Sequence, residues 1–142
     1  MRYPILFSIF ILCLFSCNKN KYNTVPSLKF KNVNTKQLHS GEVLRITLSF
    51  TDAEGDVVAD SSLLVRKVVP RCAASSFDQF YVLPTFPAGK DQSGDIIVTY
   101  NYNDISPKCN NKNDTAVFKF ILRDKAKNKS DTAVSDQIII YN

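Results

Sequence analysis

The sequence predicts an all-β sandwich, and three observations support this fold class. Apolar residues recur at every second position in short runs, which is typical of half-buried strands. Turn-forming residues separate these runs at intervals of roughly ten residues, as in a sandwich. The chain has 142 residues, 44% hydrophobic and 22% charged, a composition typical of one globular domain.

The first strand is predicted at residues 27–33. Leu28 and Phe30 share one face of this segment, and Lys29 and Lys31 share the other. Successive side chains of a strand point to opposite faces of the sheet. This strand therefore offers one face to the core and one to water.

The second strand, residues 42–51, has the clearest pattern. Leu44, Ile46, Leu48 and Phe50 alternate with polar or charged residues. This period of two predicts that the four apolar side chains face the core.

The other strands follow the same rule. Apolar residues share one face of the fifth strand (Ile96, Val98, Tyr100, Tyr102) and of the sixth (Phe118, Phe120, Leu122). The predicted strands are residues 27–33, 42–51, 63–69, 77–83, 95–102, 116–123 and 136–141. No segment has a helical pattern. About seven antiparallel strands in a domain of this size indicate an immunoglobulin-like sandwich.

Residues 1–16 are interpreted as a signal peptide. An apolar run at residues 5–15 follows Arg2, and it is shorter than the roughly 18 residues that a membrane span needs. A cation before a short apolar run is typical of secretory signals.

The end of this run, Leu14-Phe15-Ser16-Cys17, resembles the lipobox of bacterial lipoproteins. The resemblance implies cleavage before Cys17 and acylation of that residue, which anchors the chain to a membrane. Ordinary cleavage, with no role for Cys17, is the alternative. Residues 17–25 would form a polar tether and residues 26–142 the immunoglobulin-like domain.

The expected location is the cell envelope, anchored to the outer membrane. Some lipoproteins of this kind reach the cell surface through an acidic run after the lipidated cysteine. Here the first acidic residue after Cys17 is Glu42. The periplasmic side is therefore expected, with surface display as the alternative.

Cys72 and Cys109 are expected to form a structural disulfide. Cys13 leaves with the signal peptide, and Cys17 is lipidated. A remaining pair of thiols in an oxidising compartment usually becomes a disulfide. A metal site and a redox pair are less favoured, because the chain has one His and the pair lacks Cys-x-x-Cys spacing.

Two turns are similar to those of bacterial immunoglobulin-like, cadherin-like and fibronectin-type modules. Asp52-Ala53-Glu54-Gly55-Asp56 looks like the Asp-x-Glu-Gly-Asp turn after their second strand. Asp124-Lys125-Ala126-Lys127-Asn128-Lys129-Ser130 looks like the Asp-x-Ala-Gly-Asn-x-Ser turn before their last strand, with Lys127 in place of Gly.

These turns contain a candidate metal site. In an immunoglobulin-like topology they meet at one end, which brings together Asp52, Glu54, Asp56 and Asp124. Clustered carboxylates are typical ligands of Ca²⁺. The alternative is that they are ordinary turn residues, neutralised by the nearby lysines.

Two further features carry site hypotheses. Asp114-Thr115-Ala116 and Asp131-Thr132-Ala133 resemble the acceptor of a bacterial periplasmic O-glycosylation system, which implies glycosylation at Thr115 and Thr132. Residues 77–87 contain four aromatic residues. On the surface, these could bind a sugar or a partner strand; the alternative is that they fill the core.

The functional expectation is a non-catalytic, lipid-anchored binding or structural module with a protein or glycan ligand. The single His39 has no evident partner for acid–base chemistry, so no catalytic residue is assigned. The chain lacks a basic stripe with interleaved aromatics, which argues against nucleic-acid binding. The alternative function is glycan capture for a polysaccharide-uptake system.

Overall fold

The fold is an all-β sandwich, as predicted. The computed structural model describes residues 24–57, 62–84, 87 and 89–142. Its strands are β1 (Ser27–Val33), β2 (Gln37–Leu38), β3 (Val43–Asp52), β4 (Ser62–Val68), β5 (Phe77–Val82), β6 (Gln92–Asn101), β7 (Asp114–Arg123), β8 (Ala133–Val134) and β9 (Ile138–Ile140). A 3₁₀ turn at Ala73–Ser75 and a short helix, α1 (Tyr102–Ile105), lie in two of the connections.

The strands form two sheets. One contains β1, β3 and β6 in that order, and the other runs β2-β9-β7-β4-β5 with β8 beside β7. The pairs are antiparallel except for β2 with β9, which is parallel. The fourth long strand, β5, pairs with β4. It therefore lies in the larger sheet and not beside β6, where the fourth strand of a constant-type immunoglobulin domain lies.

The predicted alternation is confirmed in β3, which is the middle strand of its sheet. Leu44, Ile46 and Leu48 are fully buried, and Phe50 is buried as well. The core is completed from the opposite sheet by Phe118, Phe120 and Leu122, among others. Burying each large apolar side chain contributes roughly 1.5–3 kcal/mol, so this alternation supplies most of the driving force for sheet packing.

Tyr102 departs from the prediction because the fifth strand ends one residue earlier. The Asn101 amide donates to Asp104 Oδ2 (3.1 Å), and this capping interaction starts α1 at Tyr102. The Tyr102 hydroxyl then donates to the Tyr141 carbonyl oxygen (2.8 Å). A local cap therefore ends the strand that the apolar pattern would have continued.

Cys72 and Cys109 lie at one end of the sandwich, in the β4–β5 connection and the connection that follows β6. Their Sγ atoms are 1.99 Å apart, the distance of a disulfide bond, with a sequence separation of 37. Near the same end of the sandwich as the disulfide, Lys67 of β4 points into the core. Its ammonium group donates to Asp114 Oδ2 (3.0 Å) and to the Ile105 carbonyl oxygen (2.7 Å).

Candidate functional site

Three aspartates meet at the opposite end of the sandwich, which we call the Asp52 end. Asp52 closes β3, Asp56 lies in the following loop, and Asp124 follows β7. One carboxylate oxygen from each lies within 4.8 Å of the others. The loops that carry them are in direct contact, because the Lys125 amide donates to the Asp56 carbonyl oxygen (3.2 Å).

Asp52 organises the first loop. Its Oδ2 accepts hydrogen bonds from the amides of Gly55 (2.8 Å) and Asp56 (3.0 Å). Gly55 has a φ of 71°, which glycine adopts without strain. A Cβ at this position would lie 1.8 Å from the Gly89 carbonyl oxygen. Both the backbone conformation and the close approach therefore require glycine here.

The Asp52 carboxyl group is fully buried. Its Oδ1 atom has no hydrogen-bond partner within the described part of the chain. Burial is the main cause that raises the pKa of Asp52 above its ordinary value, opposed by the two amide donors, and the neighbouring Asp56 raises it further. The site therefore favours either a proton or a cation on this carboxylate.

Asp124 organises the second loop in a similar way. Its Oδ1 accepts from the Asn128 amide (2.7 Å) and its Oδ2 from the Asn128 side chain (2.9 Å). Lys127 has a φ of 73°, the left-handed conformation that glycine would adopt more easily. Lys127 stands where the similar modules have Gly, and its backbone has the conformation typical of glycine.

The cluster contains three of the four predicted metal-ligating residues. Glu54 is exposed and lies outside the group of converging carboxylates. The turn at Gly55 brings residues 52 and 56 together and leaves Glu54 exposed to solvent. Lys125, Lys127 and Lys129, in the same loop as Asp124, are exposed.

A second surface feature lies on the outer face of the larger sheet. Leu64 is in register with Phe80 on one side and with Ile121 on the other, and residues in register share one face of a sheet. Phe80 and Val82 on the edge strand β5 are 72% and 75% exposed. Leu64 and Ile121 also line a depression of about 400 Å³ that reaches Val134. We call Val82, Phe80, Leu64, Ile121 and Val134 the apolar row.

Cationic side chains flank this row. Lys119 and Arg123 lie two residues before and after Ile121 on β7, so they share its face. Both are exposed. Arg66 also lines the depression, but its guanidinium group forms an ion pair with Asp78 (2.5 Å). This pairing lowers the pKa of Asp78 below its ordinary value.

The aromatic segment that the sequence singled out is divided between core and surface. Phe77 and Tyr81 are partly buried and pack against the core, whereas Phe80 points outward. Residue 86 lies outside the described residues. Alternation along β5 explains this division, because residues 77 and 81 share one face and residue 80 lies on the other.

The other predicted site residues are placed as follows. Thr115 in β7 and Thr132 before β8 are both exposed. Cys17 and the signal segment lie outside the described residues. The ring of His39 stacks on Tyr141, with ring centroids 4.3 Å apart. No helix within the described ranges is long and apolar enough to span a membrane.

Lys67 and Asp114 form a buried ion pair that was not predicted from the sequence. Each side chain is 1% exposed. Burial is the main cause that lowers the pKa of Lys67, and Asp114 opposes this shift. The available signal was the position of Lys67, which continues the inward alternation of Leu63 and Val65.

Comparison with known proteins does not assign the chain to a family. No family model matches the chain, and no curated protein matches it. A sporulation control protein from Bacillus subtilis is structurally similar, with a TM-score of 0.43, 11% identity, and coverage of 83% of this chain and 50% of that one. A β-glucosidase from Listeria innocua, in complex with gluconolactone, has a TM-score of 0.38, 15% identity, and coverage of 82% and 16%. The chain therefore spans half of the first protein and a small part of the second.

Proposed function

We propose that this protein is a non-catalytic binding or structural module of the cell envelope, anchored by lipid at Cys17. The observation that supports a binding role is the apolar row, which leaves Phe80 and Val82 mostly exposed. Contiguous exposed apolar surface on a soluble domain marks an interaction site. The lipobox-like segment before Cys17 supports the anchor.

Metabolic labelling tests the anchor. Bacteria that express the full chain are grown with radioactive palmitate, and the protein is isolated by an affinity tag. We expect labelling of the wild type and of Cys13→Ala, and none of Cys17→Ala. Equal labelling of Cys17→Ala would contradict the anchor, and the Cys13→Ala control shows that loss of any cysteine is not the cause.

Glycan capture is a second candidate function, favoured by the exposed ring of Phe80 on an edge strand. Aromatic rings of this kind can stack on the apolar face of a sugar. Electrophoresis in gels that contain neutral polysaccharides tests this role. Retardation that Phe80→Ala abolishes and Ile97→Ala preserves would support it, and no retardation in any gel would contradict it.

We also propose that the Asp52 end binds a divalent cation of the Ca²⁺ type. The supporting observation is the buried Asp52 Oδ1, without a donor among the described residues, beside two further carboxylates. Extracellular calcium sites have dissociation constants of up to about 1 mM. With about 10 mM Ca²⁺, such a site would stabilise the fold by about 1.4 kcal/mol.

Thermal unfolding tests the cation site. We expect Ca²⁺ to raise the melting temperature of the wild type by about 3–6 °C, and to leave that of Asp56→Asn unchanged. Glu54→Gln is the matched control, because Glu54 lies in the same loop outside the cluster, and it should respond like the wild type. A wild type that does not respond would contradict the cation site.

A further inference from the structure

The apolar row lies on the surface of the described domain. Phe80 and Val82 are among the most exposed large apolar side chains, at 72% and 75%. Register places Phe80, Leu64 and Ile121 side by side across three strands. The row is therefore a continuous apolar strip on the outer face of the larger sheet, and not a set of scattered residues.

The charges beside the strip favour an anionic partner. Lys119 and Arg123 flank Ile121 and have no carboxylate within ion-pair distance among the described residues. Arg66 is already neutralised by Asp78. A second copy of this face would bring cations against cations, which is unfavourable. An anionic surface would pair with them.

The strip also lies toward the end of the domain where the described chain begins. Ser62 is in register with Val82 and with Arg123, at the ends of β5 and β7 that adjoin the Asp52 end. In the other sheet, Ser27 is in register with Thr51 near the end of β3. The chain therefore enters the sandwich at the same end as the strip.

The intervening segment limits the distance to the proposed anchor. The chain from Cys17 to Thr24 spans at most about 25 Å when fully extended. It contains Lys19 and Lys21, which add positive charge next to the anchor. A lipid on Cys17 would therefore hold the strip close to a bilayer.

We infer that the apolar row, with Lys119 and Arg123, docks on an anionic phospholipid bilayer. The inference rests on the proposed anchor and names the partner of the proposed binding surface. The apolar side chains would enter the boundary between head groups and acyl chains, while the two cations contact phosphates. Docking of this kind would fix the orientation of the domain on the membrane.

Tryptophan fluorescence tests this inference, because the chain contains no Trp. Phe80→Trp places a reporter on the row. Ile97→Trp is the matched control, because Ile97 is 62% exposed and lies in β6, in the other sheet. Each full-length variant is isolated from expressing bacteria and incorporated into vesicles of phosphatidylethanolamine and phosphatidylglycerol, with or without bromine on the acyl chains.

We expect brominated lipid to reduce the emission of Phe80→Trp by about twofold, because the reporter reaches the acyl boundary, and to leave Ile97→Trp unchanged. Adding Lys119→Glu and Arg123→Glu to Phe80→Trp should remove most of the quenching. Replacing phosphatidylglycerol with neutral phosphatidylcholine should do the same. These results together would establish docking through both the strip and its charges.

Equal quenching of the two reporters, or none in either, would overturn the inference. Quenching that persists unchanged in neutral vesicles would also overturn it, because the partner would not be anionic. Burial of the Phe80→Trp reporter in intact cells, but not in these vesicles, would assign the row to a partner protein instead.

The same variants carrying Cys17→Ala separate this inference from the anchor. If only the anchor is wrong, flotation with vesicles is unaffected by Cys17→Ala and the difference between reporters remains. If only the docking is wrong, flotation depends on Cys17 and the reporters do not differ.

Discussion

Loss of the Lys67 ammonium group should destabilise the fold more than most single changes. In Lys67→Met the side chain at position 67 stays apolar and of similar length, but Asp114 loses its buried counter-charge. The lost contacts are two charge-assisted hydrogen bonds, to Asp114 Oδ2 (3.0 Å) and to the Ile105 carbonyl oxygen (2.7 Å). Each such bond is worth about 1.5–3 kcal/mol, and breaking a buried ion pair costs about 3–5 kcal/mol.

The assay is urea unfolding of the oxidised protein at pH 7, followed by circular dichroism. We expect the free energy of unfolding to fall by about 3–5 kcal/mol in Lys67→Met. The double variant Lys67→Met with Asp114→Asn should recover at least half of that loss, because no unpaired charge remains in the core. Lys29→Met, a change at an exposed lysine, should stay within about 0.5 kcal/mol of the wild type.

Two results would refute this reasoning. A loss below about 1 kcal/mol in Lys67→Met would mean that Asp114 finds another partner for its charge. A double variant as unstable as the single one would mean that packing around Lys67, and not its charge, holds the two strands.

Three further predictions concern the two ends of the sandwich. Lys127→Gly should stabilise the fold by about 0.5–1 kcal/mol, because glycine adopts the left-handed conformation at this position without strain. The control Lys125→Gly, in the same loop, should not be stabilised. The midpoint of urea unfolding measures the stability of both variants. Reduction of the disulfide between Cys72 and Cys109 should lower the free energy of unfolding by about 4 kcal/mol, given its sequence separation of 37 and the chain-entropy relation. The stability of a variant with both cysteines changed to Ala should not respond to reductant. The raised pKa of Asp52 means that the folded state binds its proton more tightly, so stability falls as the pH rises from about 4 through the folded pKa. Asp52→Asn should therefore lose less free energy of unfolding between pH 4 and pH 7 than the wild type, and an identical loss would contradict the shift.

Alternation predicted seven of the nine described strands and most of the core, since it depends only on neighbouring residues. It missed β2 and β8, because two residues are too few to show a period. It assigned Leu44, Ile46 and Leu48 correctly to the interior, where all three are fully buried. It failed at Tyr102, because the cap formed by Asn101 and Asp104 overrides the apolar period. It also could not place β5 in a sheet, because that choice depends on pairing with β4 across a turn.

The candidate sites were predictable only in part, for a related reason. The spacing of Asp52 and Asp56 predicted that they lie close together. The fold of their loop around Gly55 leaves Glu54 outside the cluster. Lys67 could be recognised as inward-facing from its neighbours, whereas its partner Asp114 is 47 residues away. The apolar row required the register of three strands, which no local pattern contains.

The position of β9 has a consequence for how the chain is made. This strand lies between β2 and β7 in the larger sheet, and the Tyr141 amide donates to the Leu38 carbonyl oxygen (2.9 Å). A nascent chain that emerges N-terminus first cannot complete that sheet until residues 138–140 have left the ribosome. Until then β7 lacks a neighbour along part of its length, and this unpaired edge is open to chaperones during synthesis.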